Sequence, residues 1–315
     1  MDDRTLELSL SPFALESAAE IESVRLLALA DRPHLVTSAT AATGGASTRY
    51  SSTPLHGERS SSVLADIPQL LAVPPRWDIA SGDRGGSAIV YEVAGGAMNA
   101  LFLARPSSDE PGGEPAAWLT AHHPRESFGH PRFFKGRRGG DLALSAIVEN
   151  TRAVAFLGPP GGAYTPLIEA AEALVVRCGS GLVLIYKRTR PGPVRGSDIF
   201  RGVLRCVRLG DGLRPRGSVL APFGDTTVFE LDADVHGDEV VIFATLEAGV
   251  ALALLRAEGE GLAVVARRSV RHAAELIRPA ILAAGGELHV AVVEAAVVQE
   301  AERVWTGSVT VEARS

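Results

Sequence analysis

The chain predicts an all-β fold, a six-bladed β-propeller of four-stranded antiparallel blades whose ring is closed by the N-terminal strand. Three observations predict it. The first is a module of apolar strand, Gly-centred turn, second strand, turn and third strand. It recurs around Gly86, Gly140, Gly181, Gly237 and Gly286 at intervals of 41 to 56 residues by their numbering, the cadence of a radial array of small sheets. The second is the fifth module, where residues 230–235, 240–245, 250–256 and 262–267 read as four strands in succession, the strand count of one blade. The third is the start of the chain, where Thr5-Leu6-Glu7-Leu8-Ser9-Leu10 alternates as a half-buried strand should. The last module has only three strands, and Leu6, Leu8 and Leu10 are expected to cover its open edge.

The individual strands rest on β-branched and aromatic runs bounded by Gly, Pro, Asn or Asp. The first module reads as strands 24–30, 34–40 and 47–53, with a turn at Asp31-Arg32-Pro33. The second runs from Trp77 through Gly85-Gly86 into 87–93 and then 98–104. The third has Phe133-Phe134-Lys135, the turn GRRGGD, 142–148 and 153–157. The fourth has 174–178, 182–187 and 203–209, with a Pro- and Arg-rich insertion between the last two. The sixth has 280–284, 288–293 and 304–311. Pro75, Pro131 and Pro279 each stand before a first strand, where a missing N–H is tolerated. Residues 12–22 and 270–277 carry helical spacing and read as short helices between blades. The architecture is expected to fill residues 1–315 as a single domain, with 107–115 (SSDEPGGEP) a low-complexity loop. A pair of β-sandwiches divided at that loop is the alternative.

The composition, with 46% hydrophobic and 22% charged residues, is that of a globular protein. No run approaches the roughly 18 apolar residues of a membrane span, and the acidic start Met1-Asp2-Asp3 is unlike a secretory signal. A cytoplasmic, bacterial protein is the expectation, the bias of 31 basic residues toward all but two arginines pointing to a GC-rich genome. Cys178 and Cys206 lie on strands of one module and read as buried hydrophobes rather than a redox pair.

These modules resemble six-bladed propellers of the sialidase and BNR-repeat type. Ser81-Gly82-Asp83-Arg84-Gly85-Gly86-Ser87 matches the S-x-D-x-G-x-[ST] spacing of that family's Asp-box. It departs from the family in having Ala88 where a Trp follows, in occurring once, and in lying in the first turn of its module. The resemblance implies the architecture and no site, and the segment itself reads as a Gly-rich hairpin.

Two interruptions of the repeat concentrate functional side chains. The entry to the third module holds His122, His123, Arg125, Glu126, His130 and Arg132, followed by Lys135, Arg137 and Arg138. The fourth-module insertion and its flanks hold Lys187, Arg188, Arg190, Arg195 and Arg201. The histidines match no standard zinc spacing, so no metal or other cofactor is expected. The arginines and lysines suit carboxylates or phosphates, or an acidic partner. A net charge of −6 and basic segments without interleaved aromatics argue against nucleic acid. No P-loop, dinucleotide fingerprint or nucleophile elbow is present, and Glu92, Glu149, Asp141, Asp198, Glu230 and Asp232 are acids available at strand ends. The leading expectation is a non-catalytic scaffold, monomeric on its own, that engages a protein partner through its loop face. The alternatives are a carbohydrate-active or lectin-like propeller holding an anionic glycan, and a regulatory subunit sensing a phosphorylated metabolite.

Overall fold

A computed structural model of the chain describes residues 4–15, 21–40, 47–58, 60–68, 76–81, 87–95, 98–104, 116–117, 127–136, 143–157, 163–189, 201–295 and 303–313. After β1 (Arg4–Phe13) the strands fall into blades. The first is β2 (Ser23–Leu29), β3 (Arg32–Thr40), β4 (Ser47–Pro54) and β5 (Ser62–Pro68). The second is β6 (Trp77–Ser81), β7 (Ser87–Gly95), β8 (Met98–Ala104) and β9 (Ala116–Ala117), and the third is β10 (Phe128–Phe133), β11 (Ala143–Val148), β12 (Arg152–Leu157) and β13 (Tyr164–Glu169). The fourth is β14 (Glu172–Cys178), β15 (Gly181–Thr189), β16 (Gly202–Leu209) and β17 (Pro215–Leu220), with β18 (Thr227–Val228) also on β16. The fifth is β19 (Leu231–His236), β20 (Glu239–Leu246), β21 (Gly249–Glu258) and β22 (Gly261–Arg271). The sixth is β23 (Leu276–Ala284), β24 (Glu287–Glu294) and β25 (Arg303–Ala313), completed by β1 in the order β1-β25-β24-β23. Six antiparallel sheets of this kind make a six-bladed β-propeller.

The N-terminal closure follows from the alternation that predicted it. Leu6 pairs with Val311, Leu8 with Val309 and Leu10 with Gly307; Leu6 is buried and Leu8 and Leu10 pack on the same core as Val290, Val292 and Val309. A side chain at Gly307 would run into the carbonyl of Ser9, so the close approach of β1 requires glycine there.

The chain divides into two compact units, Met1–Ala14 with Leu174–Ser315, and Leu15–Ala173. In the first, Val176, Ile185, Leu204 and Cys206 of the fourth blade meet Ala233, Val240 and Ile242 of the fifth. In the second, Val90 and Leu101 meet Phe133, Leu144 and Phe156, and Tyr50 meets Trp77 edge-on at 4.9 Å between ring centroids. Small branched side chains on alternate positions let successive sheets pack face to face.

Several boundaries differ from the sequence reading. The turn in the first blade is the pair Ala30-Asp31, both at positive φ (47° and 61°), the geometry of a two-residue hairpin whose twist matches its strands; Pro33 lies within β3. The first strand of the third blade is Phe128–Phe133, upstream of the predicted Phe133-Phe134-Lys135. Pro131 and Pro279 lie inside β10 and β23, at register shifts where a ladder bond is missing anyway. Residues 270–277 are the end of β22, a turn and the start of β23, because pairing with β21 through Gly249–Arg271 satisfies the backbone that a helix would otherwise serve. Pro12 and Phe13 end β1, while 16–20 of the other helical reading, the 107–115 loop and 82–86 of the Asp-box match lie outside the described residues.

Candidate functional site

Each unit contains a joint in which an aspartate on one first strand caps the bulged first strand of the next blade. In the unit of residues 15–173, the Phe133 N–H donates to Asp78 Oδ2 at 2.8 Å and the His130 N–H to Glu92 Oε2 at 3.3 Å. In the other, the Ile281 N–H donates to Asp232 Oδ2 at 3.0 Å and the Arg278 N–H to the Glu230 carboxylate. The bulges correspond residue for residue. His130 and Arg278 both precede proline and both sit at positive φ, 51° and 55°, a conformation the residue before proline rarely takes. The carboxylates supply the acceptors that hold this costly geometry in place.

At one position the two joints part. Ala280, buried, follows Pro279; Arg132, only 4% exposed, follows Pro131. Asp78 is fully buried and faces Arg132 Nε at 3.6 Å on one oxygen and Arg25 Nε at 3.1 Å on the other. Arg132 Nη1 in turn lies 3.5 Å from Glu172 Oε1. Arg25 on β2, Asp78 on β6, Arg132 on β10 and Glu172 on β14 thus form a row of alternating charge. The first strands of successive blades supply it. Arg25 is further held by its bond to the Val24 carbonyl and by the Trp77 ring 5.7 Å away, while the Trp77 indole N–H is fixed on Ser38 Oγ at 3.0 Å. Ser145 Oγ donates to the Ala173 carbonyl at 2.9 Å, beside Glu172.

Complete burial pushes the Asp78 carboxyl up, but the positive charges of Lys135, Arg132 and Arg25, with the Phe133 N–H, outweigh it and hold the group below its ordinary 3.8. Asp78 therefore stays ionised. It cannot act as a general acid; it orients the two guanidinium groups. The parts of the row that reach solvent are Arg25 and Glu172, whose side chains are 14% and 11% exposed, with Lys135 and His130 half-buried beside them. Planar N–H donors next to carboxylate acceptors suit a ligand offering both hydroxyl groups and negative charge.

Of the residues singled out from sequence, the structure brings Arg132, Lys135 and His130 together around Asp78 and Glu92. Lys187 is buried in the other unit, its Nζ donating to the Phe229 carbonyl; Arg201 lies over the Phe229 ring at 4.4 Å, and Arg188 is exposed at the end of β15. His122, His123, Arg125, Glu126, Arg137, Arg138, Arg190 and Arg195 lie outside the described residues. Glu92, Glu230 and Asp232 serve as backbone caps. Sequence reasoning missed Arg25, Asp78 and Glu172. A signal was available: Trp77-Asp78-Ile79 and Leu231-Asp232-Ala233 place an acid at the same point of an apolar first strand in the second and fifth blades, where a buried charge calls for a partner. Among the described residues, no group of three or more His, Cys, Asp and Glu side chains is placed to hold a metal ion.

No family model matches the chain, and no curated protein does. Solved structures match it along its length. The catalytic domain of a GH62 α-L-arabinofuranosidase from Coprinopsis cinerea is 13% identical with a TM-score of 0.50, over 96% of each chain. The lectin of Aleuria aurantia, solved with α-methyl-L-fucoside, is 10% identical with a TM-score of 0.51, over 91% of this chain and 96% of its own. A subtype N10 neuraminidase-like protein from a little yellow-shouldered bat isolate is 11% identical with a TM-score of 0.50, over 95% and 98%. At these identities the likeness is one of fold. The expectation of a non-catalytic scaffold is nonetheless corrected: the propellers similar to this chain include an arabinofuranosidase and a sugar-bound lectin.

Proposed function

We propose that the chain is a carbohydrate-recognising β-propeller that holds an anionic sugar at the charged row of residues 15–173. The observation that carries the proposal is Arg132. The same bulge in the other unit folds around Ala280, so the joint has no need of a buried arginine, whose desolvation costs several kcal/mol unless it is fully paired. Asp78 and Glu172 supply Arg132 with opposite charges at 3.6 and 3.5 Å while its buried Nε makes no hydrogen bond, and the row offers Arg25 and Lys135 to a sugar carboxylate, with Glu172 as acceptor for ring hydroxyls. The arabinofuranosidase and the fucose-bound lectin among the similar structures support carbohydrate as the ligand class; the ionised state of Asp78 supports recognition by hydrogen bonding rather than protonation of a leaving group.

An acidic-glycan array read beside a neutral one tests this. Retention of uronate- or sialate-terminated glycans, weakened about ten-fold or more by Lys135→Ala in a protein that remains folded at the assay temperature, is the expected result. A flat response on both arrays removes the reading. Turnover of aryl glycosides that is abolished by Glu172→Gln would instead place a hydrolytic step at the same row.

A further inference from the structure

A second site lies in the other unit and is built from residues of the fourth, fifth and sixth blades that the charged row does not use. Three tight turns, at Gly179-Ser180 between β14 and β15, at His236-Gly237-Asp238 between β19 and β20, and at Gly259 after β21, border an open cleft of about 830 Å³, within the range of small-molecule sites. Gly179, Gly237 and Gly259 all take positive φ (58°, 63° and 56°), and a side chain at any of them would project into open space. The turns are therefore as short as hairpins allow, and the space between the sheets stays unfilled.

Three arginines from three different blades line that cleft. Arg4 of β1 donates from Nη1 to Glu239 Oε2 at 2.5 Å, and Arg256 of β21 grips Oε1 of the same carboxylate through Nε at 2.7 Å and Nη2 at 2.6 Å. Arg208 of β16 lies across Gly181, where any Cβ would strike its Nη2, and donates to the Gly259 carbonyl of the neighbouring blade. Glu239 is nearly buried, at 7% exposure, whereas Arg4 and Arg256 are each 31% exposed. One carboxylate thus orients two guanidinium groups that line the cleft, and a backbone carbonyl orients the third. With Glu239 and Asp238 counted against them the three arginines leave the lining an excess of one positive charge, on a chain of net charge −6.

We infer that this cleft is a binding site for a phosphate monoester, with a sugar phosphate the size of ligand it admits. A carboxylate offers two oxygens in one plane, enough for two planar forks. Guanidinium groups arriving from three sheets match the three terminal oxygens of a tetrahedral dianion. Ser180 and the turn N–H groups at Gly237 and Asp238 add neutral donors of the kind that surround bound phosphate. The site shares no residue with the proposed glycan row, and either can fail without the other.

The test is titration calorimetry on the full chain at low salt, where such contacts are least screened, with glucose 6-phosphate, inorganic phosphate and glucose as the probes. Saturable binding of glucose 6-phosphate, lost by at least about ten-fold in Arg208→Met and in Arg4→Met, is expected. Amide shifts should be confined to 179–180, 236–239 and 259. Tighter binding of glucose 6-phosphate than of inorganic phosphate identifies a sugar phosphate as the ligand; equal binding identifies the free ion, and both keep the site. Arg4→Met and the amide shifts decide the matter if Arg208→Met does not fold. Glucose binding as well as its phosphate, binding unaltered in both variants, or shifts centred elsewhere overturns the proposal.

Discussion

Replacing Asp78 probes the joint and the charged row at once. Asp78 is fully buried and takes Arg25 at 3.1 Å, Arg132 at 3.6 Å and the Phe133 N–H at 2.8 Å. Asp78→Ala strips the counter-ion from Arg132, which is itself 5% exposed, and orphans a buried N–H. Removing one partner of a buried pair costs about 3–5 kcal/mol. That should lower the melting temperature by roughly 6–20 °C, at about 2–4 °C per kcal/mol for a unit of this size. Asp78→Asn keeps an acceptor for Phe133, so the gap between the two variants, about 1–3 kcal/mol, measures that bond. The pH dependence has a definite sign. Because the folded carboxyl titrates below 3.8, its ordinary value, the charge stabilises the fold fully above that pH, and the benefit is lost as pH falls through the folded value. Wild type should outlast Asp78→Asn by a constant margin between about pH 5 and pH 7 and by a shrinking one below pH 3.8. Thermal denaturation followed by circular dichroism across that range is the assay. An Asp78→Ala loss under about 1 kcal/mol, or a margin over Asp78→Asn that does not change with acid, would refute the reasoning.

Three further outcomes follow from the same geometry. Arg132→Ala and Glu172→Gln remove the two ends of one ion pair, 3.5 Å apart, so the double variant should be more stable than the sum of the single losses by about 0.5–3 kcal/mol in a double-mutant cycle, while glycan retention is lost. Replacing Ala30-Asp31, both at positive φ, with Asn-Gly should raise stability by about 1 kcal/mol, read as a higher denaturation midpoint, since only the turn conformation is eased. Cys178 and Cys206 are free and buried, and burial pushes both thiols up; a thiol reagent at pH 8 should label neither in the native protein and both after unfolding.

The repeat and its closure could be read from the sequence because each rests on local alternation. Leu6, Leu8 and Leu10 face one side whatever they pair with, and an uncovered three-stranded sheet needs a partner. The outer strands were harder to see. β17 is exposed along most of its length and carries Pro215, Gly217 and two polar residues, so no apolar stripe marks it. β10 was misplaced for a different reason. Gly129, His130, Pro131 and Arg132 read as a loop, and only pairing with β11, with two capping carboxylates 38 and 55 positions away in sequence holding the bulge, makes them a strand. Arg132 and Lys135 stood out by charge, but Arg25 and Asp78 are single ionisable residues in otherwise apolar strands, and Glu172 opens the strand EALVVRC with only Arg177 as a second charge. Their meaning depends on which strands become neighbours.

The two joints separate what the fold requires from what it does not. Asp232 and Asp78 do the same structural work, each accepting an N–H three residues beyond the positive-φ residue of the bulge, so an aspartate at this point belongs to the fold. Arginine at 132 does not, because Ala280 fills the corresponding place in the other unit at the same register shift. A buried cation destabilises a sheet core unless neighbouring anions compensate. The chain supplies two such anions, Asp78 from the preceding blade and Glu172 from the following one. Such a compensated departure from the simpler solution is what functional sites show when local consistency is given up for chemistry. The cap is therefore the part of the row to expect wherever this bulge occurs, and the arginine pair around it is the part to test for ligand.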